Sequence, residues 1–206
     1  MEALALQLDG RRALRVRQVK EWGEILTGFE TKNRYQVLDD RDQLVLFAGE
    51  VESGALQLIS RLFLKAKRPF TMELRTPDNR LALTLKRPWR WFFSRMEVLG
   101  PSGQHLGSIQ QRFKLIGRLY DVLSPTGELW ATLEGPLFHP WTFWVNRAGI
   151  AVGKIAKRWS GLGKEMFTAA DNFGVEFQPE LRGEPLRTLV LAATFLIDFV
   201  HFEQRN

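Results

Sequence analysis

The chain has 206 residues, 45% of them hydrophobic and 25% charged, with a formal net charge of +6 and no cysteine. A mean hydropathy of -0.19 excludes a polytopic membrane protein, and the missing thiols exclude disulfides, thiolate nucleophiles, cysteine-held metals and acylated cysteine. A pI of ≈ 9.9 favours anionic surfaces, either lipid headgroups or nucleic acid, between which charge alone does not choose.

The segment MEALALQLDGRRALRV carries acidic residues and no apolar core flanked by basic ones, so it does not read as a secretory signal and a cytoplasmic protein is expected. Residues 1–12 are expected to be flexible. Beyond them, short alternating runs bounded by turn residues recur, the pattern of antiparallel sheet. About twelve strands are predicted by that criterion: Ala13–Val19, Asn33–Asp39, Leu44–Glu50, Phe70–Thr76, Arg80–Arg87, Arg95–Leu99, Leu106–Phe113, Arg118–Leu123, Glu128–Glu134, Trp141–Asn146, Ile150–Arg158 and Phe173–Gln178. The turns between them have the expected chemistry, among them Pro77-Asp78-Asn79, Pro101-Ser102-Gly103 and Pro125-Thr126-Gly127. No linker divides the chain, and its length suits a single all-β domain over residues 1–206.

An internal repeat supports the sheet. LRTPDNRLALTLKRP from Leu74 aligns without a gap with VLSPTGELWATLEGP from Val122, sharing the turn proline, a leucine, the Thr-Leu pair and the closing proline. YQVLDDRDQLVLFAGE from Tyr35 is a fainter third copy. A repeated unit suggests a sheet closed on itself.

The ending breaks the pattern. After Pro185, a favourable first-turn residue, LRTLVLAATFLIDFVHFEQRN is apolar around nearly its whole circumference and predicts a buried helix over residues 185–203, with Leu189, Leu191, Phe195, Leu196, Asp198 and Phe199 inside. As a helix Thr188–Ile197 spans about 15 Å and Leu186–Phe202 about 25 Å, against the roughly 30 Å of a bilayer core. Asp198 is costly in lipid and satisfiable in protein. The helix is therefore expected inside a barrel, with a membrane anchor the less favoured alternative.

Seven segments together resemble the phospholipid scramblase family in order and spacing. They are TGFETKNRYQV (Thr27–Val37), the RPF and RP turns at Arg68 and Arg87, MEVLGPSG (Met96–Gly103), VGKIAKRWSG (Val152–Gly161), EMFTAADNFGVEF (Glu165–Phe177) and ATFLIDFVHFE (Ala193–Glu203). The resemblance runs from about Ala13 to Glu203, lacks the proline-rich N-terminal arm of animal members, and looks like the core domain. It implies a tubby-like fold related to the LURP-one proteins: a closed barrel of about twelve strands around a central hydrophobic C-terminal helix. It also implies work on membrane phospholipid, including energy-independent scrambling between leaflets.

Eukaryotic members assign calcium to an acidic loop before the last strand. Here Asp171 and Glu180 keep acid at the third and twelfth places while the first is Ala169, and calcium wants six to eight oxygens. Phe173–Phe177 also alternates as a strand, which points side chains to opposite faces. A turn or cap into the last strand is the expected role of Asp171.

A different signal is aromatic. KRPWRWFFSR (Lys86–Arg95) sets Trp89, Trp91, Phe92 and Phe93 among Arg87, Arg90 and Arg95. LQLISRLFLKAKR (Leu56–Arg68), containing Phe63, and PLFHPW (Pro136–Trp141), containing Phe138 and Trp141, are similar connections. The resemblance implies cysteine-rich, acylated stretches at these three places. Here aromatic and aliphatic side chains stand instead, which insert at headgroup level while arginine meets phosphate. The three connections are expected to form one membrane-docking surface on an anionic phospholipid membrane, peripheral at the inner face of the plasma membrane; the alternative has the aromatics plugging the barrel mouth.

Gly10–Lys20 reads as a strand with one charged, solvated face, and no nucleic-acid motif accompanies it. His105, His139 and His201 have no metal-ligand spacing, and no nucleophile elbow or phosphate loop occurs. Passive lipid translocation is expected rather than bond chemistry, and the alternative is a lipid-sensing or protein-interaction module. Oligomeric state is not legible.

Overall fold

In the computed structural model, the described residues are Leu8 and residues 10–19, 34–51, 69–157, 172–181 and 185–201. Twelve strands lie among them: β1 (Ala13–Gln18), β2 (Arg34–Asp39), β3 (Leu44–Val51), β4 (Phe70–Arg75), β5 (Leu81–Arg87), β6 (Arg95–Leu99), β7 (His105–Arg112), β8 (Arg118–Leu123), β9 (Leu129–Gly135), β10 (Thr142–Arg147), β11 (Ile150–Lys157) and β12 (Asn172–Phe177). Each lies within a residue of its expected bounds, because period-two alternation is the signal a half-buried strand writes most clearly. Each pairs antiparallel with its neighbours in sequence, and β1 closes the barrel on β12, as in Val16↔Phe173. Closure leaves no unpaired edge.

Most turns are of one kind. In those after β2, β4, β6 and β8 the first residue's amide donates to the carbonyl four residues on, as in Thr76 to Arg80 at 2.9 Å and Ser124 to Glu128 at 2.8 Å. The fourth position takes a positive φ, filled by Asp42 (62°), Asn79 (62°), Gly103 (82°) and Gly127 (91°). This is the three-residue hairpin loop whose left-handed residue Gly, Asn and Asp tolerate. The two segments aligned in sequence thus share register as well as turn, with Arg75↔Leu81 matching Leu123↔Leu129.

The inward residues of the strands, including Val37, Leu46, Leu83, Val98, Ile109, Val122, Leu133 and Ile155, line a core around one helix, α1 (Leu186–His201). From Leu186 to Phe199 no residue of α1 is more than 7% exposed. Polypeptide surrounds it, as its length required. Among the described residues no helix is long and apolar enough to cross a membrane. The barrel's outer wall also carries cross-strand charge pairs, such as Arg112–Asp121 at 3.1 Å and Lys154–Glu176 at 3.1 Å, where a membrane-spanning barrel shows an apolar band.

Sequential antiparallel pairing sends connections alternately to two ends. Tight turns occupy one, the turn end; the connections 88–94, 113–117 and 136–141 occupy the other, the loop end. The helix enters at the turn end, where Leu189 lies against Gly107, and finishes at the loop end, where His201 meets Tyr120. Its two charges sit against the helix dipole, Arg187 in the first turn and Asp198 near the last. Tertiary partners account for them. Arg187 lies over Phe177, 4.3 Å from the ring centre, and donates to the Arg11 carbonyl, while Asp198 accepts from Tyr35 Oη at 2.8 Å and faces Lys157 Nζ at 3.5 Å. Of the first twelve residues, 1–7 and 9 lie outside the described ones; Leu8 is buried, and the Arg12 carbonyl accepts from the Phe177 amide at 2.9 Å.

Candidate functional site

The 88–94 connection is anchored at its base and extended at its tip. Buried Arg87 donates to Ser94 Oγ at 2.8 Å, and Ser94 is tied to Gln111 through the Gln111 amide, 2.7 Å from the Ser94 carbonyl. Trp89 and Trp91 then meet edge to face at 4.5 Å, which stiffens the loop. Beyond them Trp91 is 67% and Phe92 89% exposed. In the 136–141 connection the Thr142 amide closes a turn on the His139 carbonyl at 3.0 Å, and Phe138 is left 88% exposed. Side chains this bare do not plug the mouth.

Of the expected docking residues, Trp89, Arg90, Trp91, Phe92, Phe93, Phe138 and Trp141 all occupy the loop end. Phe63 belongs to a connection outside the described residues, although the strand ends that flank it, Val51 and Phe70, are also at the loop end. Three residues that nothing in the sequence singled out join them, Phe113, Leu115 and Ile116 of the 113–117 connection, together with Leu137 of the expected PLFHPW stretch. Phe113 continues the alternation of β7 and so reads as strand. The signal that marks these residues is topological, since every second connection shares an end. Among the described residues, ten of the thirteen exposed large hydrophobics (all but Leu129, Trp144 and Ile150) lie in the three loop-end connections.

Beneath this apolar rim the mouth is polar. Tyr120 Oη and His201 Nε2 are 2.7 Å apart, His201 stacks on Phe143 at 5.9 Å, and the Arg118 guanidinium lies 4.6 Å from the Phe143 ring centre. Burial, then the charge of Arg118, pushes His201 down to about 4, so the imidazole is neutral at physiological pH. Burial pushes the Tyr120 phenol well above its usual range. The expected central-helix residues Leu189, Leu191, Phe195, Leu196, Asp198 and Phe199 are all buried, and Phe195 meets Tyr35 edge to face at 5.3 Å.

Of the calcium candidates, only Glu180 lies among the described residues. Asp171 and Ala169 lie outside the described residues. Glu180 is exposed in a single turn, Pro179–Leu181, past the turn end of β12, a strand length of about 17 Å from Asn172. Calcium oxygens must converge to within about 2.6 Å of one ion. Among the described residues no cluster of His, Asp and Glu could hold a metal.

A closed antiparallel barrel filled by its own C-terminal helix is a tubby-like barrel. A solved structure of a protein from Arabidopsis thaliana shares the fold with a TM-score of 0.53 over 93% of this chain and 94% of that one, at 9% sequence identity. The family model described as Scramblase matches residues 3–204, and the chain belongs to that family. Among its relatives are phospholipid scramblase 2 of Bos taurus, 31% identical over 92% of this chain and 68% of its own length, and phospholipid scramblase 1 of Mus musculus, 33% identical over 93% and 61%. Phospholipid scramblase 1 of Homo sapiens is 30% identical over 91% and 62%. The chain thus spans about three fifths to two thirds of the curated relatives' length.

Proposed function

We propose that this chain docks its loop end on the phospholipid surface of a membrane and there promotes energy-independent exchange of lipid between leaflets, a reading supported by relatives named phospholipid scramblases. The observation that carries the docking is the one-sidedness of the exposed apolar side chains. Tryptophan and phenylalanine seat at the headgroup boundary, and the +6 net charge adds attraction to an anionic leaflet such as the inner face of a plasma membrane. No covalent bond need be made or broken, since scrambling runs down a gradient.

The barrel interior offers a headgroup no hydrophilic path, because α1 fills it and a polar group cannot cross hydrocarbon unaided. Scrambling through this domain therefore works by disturbing the bilayer under the inserted loops. The same filled interior favours a second reading, a lipid-sensing module that binds without moving lipid. Dithionite quenching of fluorescent lipid in proteoliposomes decides between them. Loss of inner-leaflet signal supports scrambling, whereas co-sedimentation with vesicles without that loss supports the module. Vesicle binding unchanged after Trp89, Trp91, Phe92 and Phe93 are all replaced by serine removes the docking proposal.

A further inference from the structure

Between the apolar loops sits a cation, Arg118, that has no counter-charge among the described residues. Arg118 opens β8 directly after the 113–117 connection and has the inward parity of Tyr120 and Val122. It is half-buried, yet among the described residues it makes no hydrogen bond and no ion pair. The acid nearest to hand on α1, Asp198, already faces Tyr35 and Lys157. At the same end Arg87 bonds Ser94, and Lys157 faces Asp198.

The seat of Arg118 is built. Its strand partner is Gly135, where an added Cβ would stand 2.8 Å from the Phe143 ring and 3.1 Å from Arg118 Nε. Only a residue without a side chain lets the guanidinium lie on Phe143. The guanidinium centre lies 4.6 Å from the Phe143 ring centre, and a guanidinium with no hydrogen-bond partner among the described residues keeps the planar fork of donors that matches a phosphate. Burial lowers the affinity of Arg118 for its own proton, the sign of a cation losing water without gaining a carboxylate. On one side stand exposed Leu115 and Ile116, on the other Leu137 and Phe138. When such loops enter a membrane, a cation between them lies at headgroup depth.

We propose that Arg118 is the ligand for the phosphate of a phospholipid headgroup, held between the 113–117 and 136–141 connections. The assignment rests on the docking reading and names its headgroup contact. Tyr120, His201 and Phe143 form the floor; burial is the main reason His201 resists protonation, and a phosphate at Arg118 would offset the smaller part contributed by the Arg118 charge.

The test uses the intact chain and equimolar phosphatidylcholine–phosphatidylserine vesicles. Arg118→Gln is expected to weaken co-sedimentation by about tenfold, the scale of a lost charge-assisted pair of hydrogen bonds. Arg80→Gln, which removes the same charge from the exposed turn end, is the control for net charge and is expected to change it far less. Equal effects of the two overturn the assignment of Arg118, while a wild-type chain that stays in the supernatant overturns the docking reading itself. Should Arg118→Gln fail to fold, Arg118→Lys keeps the charge without the fork; sedimentation as strong as wild type overturns the assignment. The source of the phosphate is read from the His201 NMR titration. Dihexanoyl phosphatidylcholine is expected to raise its midpoint in the wild type and not in Arg118→Gln. An equal rise with inorganic phosphate overturns the lipid in favour of the free anion.

Discussion

Tyr35 and Asp198, 163 residues apart in sequence, meet inside the barrel with the phenol donating to the carboxylate at 2.8 Å. The bond ties the last turns of α1 to β2 and satisfies an acid that the helix alone would disfavour near its C-terminus. Tyr35→Phe is expected to cost about 1.5–3 kcal/mol, the range for a hydrogen bond to a charged partner, and Asp198→Ala about 3–5 kcal/mol, since Lys157 faces the same carboxylate. Urea denaturation measures both. An unshifted midpoint for Tyr35→Phe would mean that the helix does not sit as described.

The burial of His201, with the charge of Arg118 beside it, makes stability pH-dependent. Because the folded value for His201, about 4, lies below its ordinary 6.5, the unfolded chain takes up the proton first. The contribution of neutral His201 is complete above about pH 6.5 and is lost as pH falls toward about 4, at up to about 1.4 kcal/mol per unit. His201→Gln should flatten that part of the profile. Comparing the two proteins' denaturation midpoints across this window isolates the histidine from Asp39. Burial alone would raise the Asp39 carboxyl, but the amides of Gln43 and Arg41 and the Arg11 guanidinium hold it below the usual range, so it acts at lower pH.

At Gly107 the wall lies directly against Leu189 of α1. At φ 146° an added Cβ would stand 2.4 Å from the Leu123 carbonyl and 2.7 Å from Leu189. Gly107→Ala therefore combines backbone strain with overpacking and should cost about 2–5 kcal/mol. Gly127→Ala, at φ 91° with nothing nearby, should cost only the backbone share of about 1–2 kcal/mol. Thermal melts that rank the two the other way would displace the helix from β7.

Phe92 and Phe138 separate binding from folding. Both are almost fully exposed, so their replacement by serine should leave stability within about 0.5 kcal/mol. Vesicle partitioning should fall by about tenfold for each, given about 1.5–3 kcal/mol for a phenylalanine moved out of water. A loss of stability instead would show these rings packed in the folded protein.

Strands, turns and the buried helix were legible in the residues because each rests on a local periodicity. Alternation from Ala13 to Phe177 writes the sheet, and a turn that needs a left-handed residue writes Asp42, Asn79, Gly103 or Gly127. The length of α1 against the thickness of a bilayer decided its surroundings before any coordinates. The aromatic loop from Lys86 was equally plain, since Trp91, Phe92 and Phe93 stand together in a run with no strand to belong to.

What tertiary structure alone decided is which residues share an end and which charges find partners. Phe113, Leu115 and Ile116 join the rim only once the barrel closes and alternate connections converge. Arg118 is one of 29 lysines and arginines in the sequence, with nothing local to mark it. It stands out because Gly135, Phe143 and the committed Asp198, brought together from distant strands and the helix, give its guanidinium a seat and, among the described residues, no counter-ion. Periodicity is a property of neighbours along the chain, whereas electrostatic satisfaction is a property of neighbours in space.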